Sequence, residues 1–123
     1  MNDLIINETR NTPSVEFLQN GQLLIEGRAF SEDPRVFFEP ILSWCQSINS
    51  TEVDFQIKLD YMNTSATKYM KEIIKTIDAN SKVDKKAVKW YYDEDDEDML
   101  EAGQFIEEIT LNTEFYFLDE LAA

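Results

Sequence analysis

The sequence predicts a single α/β domain, a mixed β-sheet with about three helices packed on it. Three observations carry that reading. The chain has 123 residues, 43% of them hydrophobic, which suits one domain with one core. Its apolar residues recur with two periods, strictly alternating in "TEVDFQIKLDYM" and at helical spacing in the stretch that follows. Turn and cap residues divide the chain into elements in the order β-β-β-α-β-α-β-α-β, and a mixed sheet with helices on it buries all of their apolar faces.

The elements follow in chain order. "LIINET" reads as a short first strand. "SVEFLQ" and "QLLIEGR" flank Asn20-Gly21, the signature of a two-residue hairpin turn. In "SEDPRVFFEPILSWCQSIN", Asp33 is placed to cap a helix and Pro34 to be its first residue. Phe37, Ile41, Trp44, Cys45 and Ile48 then recur at helical spacing, while Pro40 predicts a kink or a late start. In the next strand Val53, Phe55, Ile57 and Leu59 point one way and Glu52, Asp54, Gln56 and Lys58 the other. After Asn63 the period changes. Ala66, Met70, Ile73, Ile74 and Ile77 form one stripe of a helix running to about Asn80. "KKAVKWYYD" is a strand whose Trp90, Tyr91 and Tyr92 must divide between two faces, which leaves room for one to be exposed. "DEDDED" opens a helix carrying Met99, Ala102, Phe105, Ile106 and Ile109, and "TEFYFLDEL" is the closing strand.

Composition excludes several functions. The net charge of −14, from 25 acidic and 11 basic residues, repels phosphate backbones and anionic membranes. No nucleic acid and no membrane is expected as a partner; basic protein surfaces are. There is no histidine, which removes His-based acid–base catalysis, Ser-His-Asp triads and most zinc sites. With three glycines no Gly-rich phosphate loop is available, and no cofactor is expected. No run of roughly 18 apolar residues occurs, so no transmembrane helix is predicted. "MNDLIINETR" lacks the pattern of a signal peptide, so the expected compartment is the cytoplasm. The single Cys45 has no partner for an internal disulfide and fits that compartment.

Three groups of residues invite chemistry. The run Asp93 to Asp98 suggests calcium, but an EF-hand needs glycine at its sixth position and Asp98 stands there. Consecutive carboxylates on a helix diverge, and complementing the helix dipole is reason enough for them. No metal is expected. Ser65 and Lys68 have the Ser-x-x-Lys spacing of penicillin-binding enzymes, yet the companion Ser-Asp-Asn and Lys-Thr-Gly motifs are absent. The third group is Thr64, Ser65 and Thr67, three hydroxyls within four positions where strand gives way to helix. Asn63 or Thr64 can cap that helix, and one residue suffices for the task. A hydroxyl there also faces free helix N–H groups, which would stabilise a phosphate. From position alone, cap and phosphorylation site account for it equally well.

The segments "TPSVEF", "GRAFSEDPRVFFEPILSW", "LDYMNTSATKYM" and "KWYYDEDDEDMLEAGQFIEE", in that order, resemble the SiaC family of bacterial regulatory phosphoproteins. The resemblance covers nearly the whole chain. That family looks like the STAS domains of anti-sigma-factor antagonists, small α/β domains phosphorylated on Ser or Thr at a helix N-terminus. The resemblance implies a STAS-like, non-enzymatic partner-switching module. A serine/threonine kinase phosphorylates the residue matching Thr64, with Ser65 a possible minor site. A PP2C-type phosphatase removes the phosphate. The unphosphorylated form binds and activates a diguanylate cyclase, raising cyclic di-GMP and favouring aggregation or biofilm. Position and resemblance together make Tyr61, Met62, Asn63, Ser65 and Lys68 the expected contact patch. The antagonists usually carry Asp-Ser-Ser-Gly, whereas Asn63 and Ala66 stand here; both departures agree with SiaC and count against a sigma-factor circuit. An anti-sigma-factor antagonist is the alternative, and a small hydrolase using Ser65 and Lys68 the remoter one.

Overall fold

In a computed structural model, which describes residues 2–120, six strands pair side by side in chain order. They are β1 (Leu4–Ile6), β2 (Ser14–Phe17), β3 (Gln22–Ala29), β4 (Glu52–Met62), β5 (Lys85–Tyr92) and β6 (Glu114–Asp119). Helices α1 (Pro34–Gln46), α2 (Thr64–Asp78) and α3 (Glu97–Glu108) alternate with the last four strands. The element order is the one the two periodicities predict. Leu121, at the end of the predicted closing strand, lies outside the described residues.

β1–β2 and β2–β3 pair antiparallel, and the three remaining pairs are parallel. Each parallel connection passes through one helix and steps one strand further in the same direction. Right-handed crossovers, the rule for such connections, then put all three helices on one face. Burial agrees with that arrangement. Val15, Phe17, Leu23, Ile25, Val53, Phe55, Ile57, Leu59, Val88 and Trp90 are buried against Phe38, Ile41 and Cys45 of α1, the α2 stripe, and Met99 and Ile106 of α3. The α2 stripe is Ala66, Met70, Ile73, Ile74 and Ile77, as its spacing predicts. Each such side chain contributes roughly 1.5–3 kcal/mol by leaving water. The alternate strand positions, among them Glu26, Gln56, Lys58, Lys89 and Tyr116, are partly or fully exposed on the other face.

Four local expectations are corrected by packing. The β2–β3 connection is a three-residue loop, Gln19 to Gly21, closed by the Gly21 N–H on the Leu18 carbonyl at 3.0 Å. A two-residue type I′ turn needs positive φ at both positions, and only Gly21, at φ 95°, has it. The first helix starts at Pro34, capped by Asp33, as predicted, but the late start offered at Pro40 does not occur, since the helix continues through it. Pro40 has no N–H for the Val36 carbonyl, and Val36 lies on the exposed side of the helix. On α1 the buried aromatic is Phe38, stacked on Tyr69 at 5.0 Å, while Phe37 is half-buried at the edge. On α3 the buried positions are Met99, Gly103 and Ile106, so Phe105 and Ile109 turn outward.

Gly103 explains the phase of α3. A Cβ there would lie 2.7 Å from the Trp90 ring and 2.8 Å from Phe117. The helix backbone rests directly on these aromatics, and the Trp90 indole N–H donates to the Met99 carbonyl at 3.0 Å. Trp90 is therefore core, and Tyr91 faces the other side of the sheet under the Lys58 ammonium. Cys45 is buried, and burial pushes its thiol up to about 12, so at neutral pH it is an unreactive small hydrophobe.

Candidate functional site

Strand β4 ends at Met62 and α2 begins at Thr64, with Asn63 between them in an extended conformation. Asn63 is the N-cap. Its side-chain oxygen accepts from the Ala66 N–H at 2.9 Å, and its own N–H donates to the Ala29 carbonyl of β3 at 3.0 Å. The cap is thus tied to the sheet. The Asn63 carbonyl accepts both the Thr67 N–H and the Thr67 hydroxyl, each at 3.0 Å.

This resolves the three crowded hydroxyls. Thr67 is engaged with the backbone and half-buried. Thr64 and Ser65, the first two residues of α2, are exposed, and their hydroxyls have no hydrogen-bond partner among the described residues. Because Asn63 does the capping, Thr64 is left over for other chemistry. The N–H groups of Thr64 and Ser65, where the helix carries its partial positive charge, likewise have no acceptor among the described residues.

Two shallow cavities flank the first turn of α2, and α3 forms their other wall. One, of about 260 Å³, is lined by Thr64, Thr67, Lys68, Lys71, Phe105 and Ile106. The other, of about 220 Å³, is bordered by Tyr61, Met62, Thr67, Asp96, Asp98 and Met99 among others. The predicted patch is therefore divided. Tyr61, 50% exposed and edge-on to Phe30 at 6.0 Å, lies with Met62 on one side, and Lys68 lies on the other. Asn63 sits between as the cap, and Ser65 is exposed but lines neither cavity. Phe105, 56% exposed, with Lys71, Asp96 and Asp98, was not among the predicted residues. The signal for Phe105 was Gly103, four residues after Met99, which shifts the buried stripe off position 105.

The acidic run does two jobs. Asp93 to Asp95 form a turn ahead of α3 rather than opening it, with the Asp93 carboxylate accepting the Asp95 N–H at 3.0 Å. Asp96 caps α3 by accepting from the Met99 N–H at 3.0 Å, and Glu97 and Asp98 occupy the first turn. Asp60, Asp93, Asp95, Asp96 and Glu120 line a third cavity of about 330 Å³. Burial, then the charges of Asp60, Asp93 and Glu26, push the Glu120 carboxyl up. Among the described residues no group of three or more side chains is arranged to hold a metal ion. Ser65 and Lys68 are one turn apart, both exposed, with no hydrogen bond between them.

Fold and site define a class: a small one-sided α/β domain that holds two free hydroxyls at the start of a helix anchored to its sheet. The chain belongs to the SiaC family of regulatory phosphoproteins, whose family model matches residues 6–120. Among solved structures it is similar to a chain in the crystal structure of the diguanylate cyclase SiaD in complex with its activator SiaC from Pseudomonas aeruginosa. That match has 22% identity and a TM-score of 0.82, covering 96% of this chain and 100% of that one. Apo-SiaC from Pseudomonas aeruginosa matches at 21% identity and a TM-score of 0.81, covering 96% and 99%. At such identities the likeness is one of fold. No curated protein sequence matches the chain significantly. Among the described residues no helix is long and apolar enough to cross a membrane.

Proposed function

We propose that this protein is a non-enzymatic cytoplasmic switch whose unphosphorylated form binds and activates a diguanylate cyclase, and that phosphate on Thr64 turns it off. A serine/threonine kinase adds the phosphate and a PP2C-type phosphatase removes it. The observation that carries this reading is the free, exposed hydroxyl of Thr64 at the first position of α2, beside a cap that does not need it. Family membership supports a phosphoprotein, and the similarity to a SiaC bound to its cyclase supports the effector. Tyr61, Met62, Asn63, Ser65 and Lys68 form the surface that each partner contacts in turn, since each must reach the same atom. An effector packed over Thr64 would bury an unpaired dianion, which costs several kcal/mol, or at least about a hundredfold in affinity.

The test combines site mapping of protein purified from its native host with calorimetric titration of variants against the cognate cyclase. Thr64→Ala keeps binding and loses phosphorylation. Thr64→Glu folds normally and binds at least about a hundredfold more weakly. Undiminished binding of Thr64→Glu, or a phosphate mapped elsewhere, overturns the switch. Substrate turnover abolished by Ser65→Ala would overturn the non-enzymatic part.

A further inference from the structure

Thr67 divides two cavities of opposite charge. Lys68 and Lys71 line the one that Thr64 shares, and Asp96 and Asp98 line the other. We propose that the phosphate on Thr64 is held by this chain's own Lys68 and Lys71, so that phosphorylation closes the groove between α2 and α3 from within. The inference rests on Thr64 being the phosphorylated residue.

Neither amine has an ion-pair partner among the described residues, a condition shared with Lys82, but these two line the cavity that Thr64 shares. Acidic residues outnumber basic ones 25 to 11, and Lys75, Lys85 and Lys89 each pair with a carboxylate, on Glu72, Glu52 and Asp54. Lys68 and Lys71 pair with none among the described residues. They follow Thr64 by four and seven residues, one and two turns along α2. An anion one turn N-terminal to a cation is the favourable order on a helix, and lysine meets phosphate as a mobile point charge. On the far side of Thr67, Asp96 and Asp98 repel a dianion and steer it toward the lysines. The lysine cavity, at about 260 Å³, has room for the group, and its remaining wall is Ile106 and the exposed Phe105. A phosphate clamped there neutralises both ammonium groups and lies across the approach to Phe105. The phosphorylated protein is then closed to a partner before that partner arrives, which direct repulsion at Thr64 does not require.

The test is ³¹P NMR titration of protein carrying genetically encoded phosphothreonine at position 64, so that no kinase is needed. A free phosphothreonine has a second pKa of about 6. An ammonium within about 4 Å in water lowers it by roughly 0.7 unit. The double variant Lys68→Gln/Lys71→Gln should raise the phosphate pKa by roughly 1.4 units relative to the phosphorylated parent. Each single variant should raise it by about half as much, which keeps the test readable if the double variant misfolds. Lys75→Gln, whose amine already has a partner, should leave it unchanged, and the helix N-terminus is common to all. A phosphate pKa that is the same in parent, single and double variants overturns the clamp alone. A native phosphate mapped away from Thr64 overturns the underlying switch instead.

Discussion

The two ends of α2 are built in opposite ways. At its C-terminal end Asp78 is buried, and its carboxylate accepts from the Leu111 and Asn112 N–H groups at 3.0 and 2.8 Å and from the Thr113 hydroxyl at 2.7 Å. Its backbone carbonyl accepts from the Lys86 ammonium and from the Asn112 side-chain amide. Helix, strand β5 and the turn before β6 are locked together there. At the N-terminal end one side chain caps the helix and two hydroxyls have no partner among the described residues. Where this fold must hold, its acceptors are filled and no chemistry remains. At the other end the frame is tied to the sheet through Asn63, and the Thr64 and Ser65 hydroxyls are left without a partner among the described residues.

Asp78→Asn is the largest break in this comparison. The amide cannot accept from three donors as a carboxylate does, and bonds to a charged acceptor contribute about 1.5–3 kcal/mol each, not additively. We expect a loss of about 2–3 kcal/mol at pH 7 by urea unfolding, or roughly 10 °C in Tm. The same pair gives a pH signature. Burial pushes the Asp78 carboxyl up, but the Leu111, Thr113 and Asn112 bonds and the Lys86 charge outweigh it and hold the carboxyl below its usual range. A folded-state pKa below the unfolded one stabilises fully above the unfolded value near 4, and that contribution is lost as pH falls through the folded value. The gap between wild type and Asp78→Asn should therefore be constant from pH 7 to about 5 and narrow below about 4.

Gly103→Ala tests the wall that α3 lends to the site. The added methyl meets Trp90 and Phe117, an overpacking cost of about 1–3 kcal/mol, offset by about 1 kcal/mol of helix propensity. A net loss of up to about 2 kcal/mol is expected by chemical denaturation, with Trp90 fluorescence shifted; a more stable protein with unshifted fluorescence would mean that α3 is not seated on these rings. Asn63→Ala is the smallest. Removing a cap costs about 1 kcal/mol. Hydrogen exchange should speed at Ala66 and Thr67 and stay unchanged at Leu111 and Asn112, which keeps the two ends distinguishable.

Much of this was legible in the chain. The alternation of Val53 to Leu59 and the stripe from Ala66 to Ile77 are properties of one element at a time, since side-chain period follows from backbone geometry. The caps at Asp33 and Asn63 are equally local, each a side chain bonding an N–H three residues on. For the same reason the crowding of Thr64, Ser65 and Thr67 at a strand-to-helix junction was visible before the fold was known.

The sequence by itself determined the element order, the buried faces of β4 and α2 and the position of the hydroxyls. Only the tertiary structure decided which hydroxyls are free, why Phe105 is exposed, and which charges share a groove with Thr64. Thr67 is removed from contention by the Asn63 carbonyl, whose own residue is pinned to β3. Phe105 is turned out because the Gly103 backbone must touch Trp90 and Phe117, and neither ring is in its helix. Asp78, a polar residue among helical apolar ones, is buried because its partners stand 33 to 35 residues further on. Such outcomes depend on which atoms another element brings near, and no period or spacing within a single element encodes that.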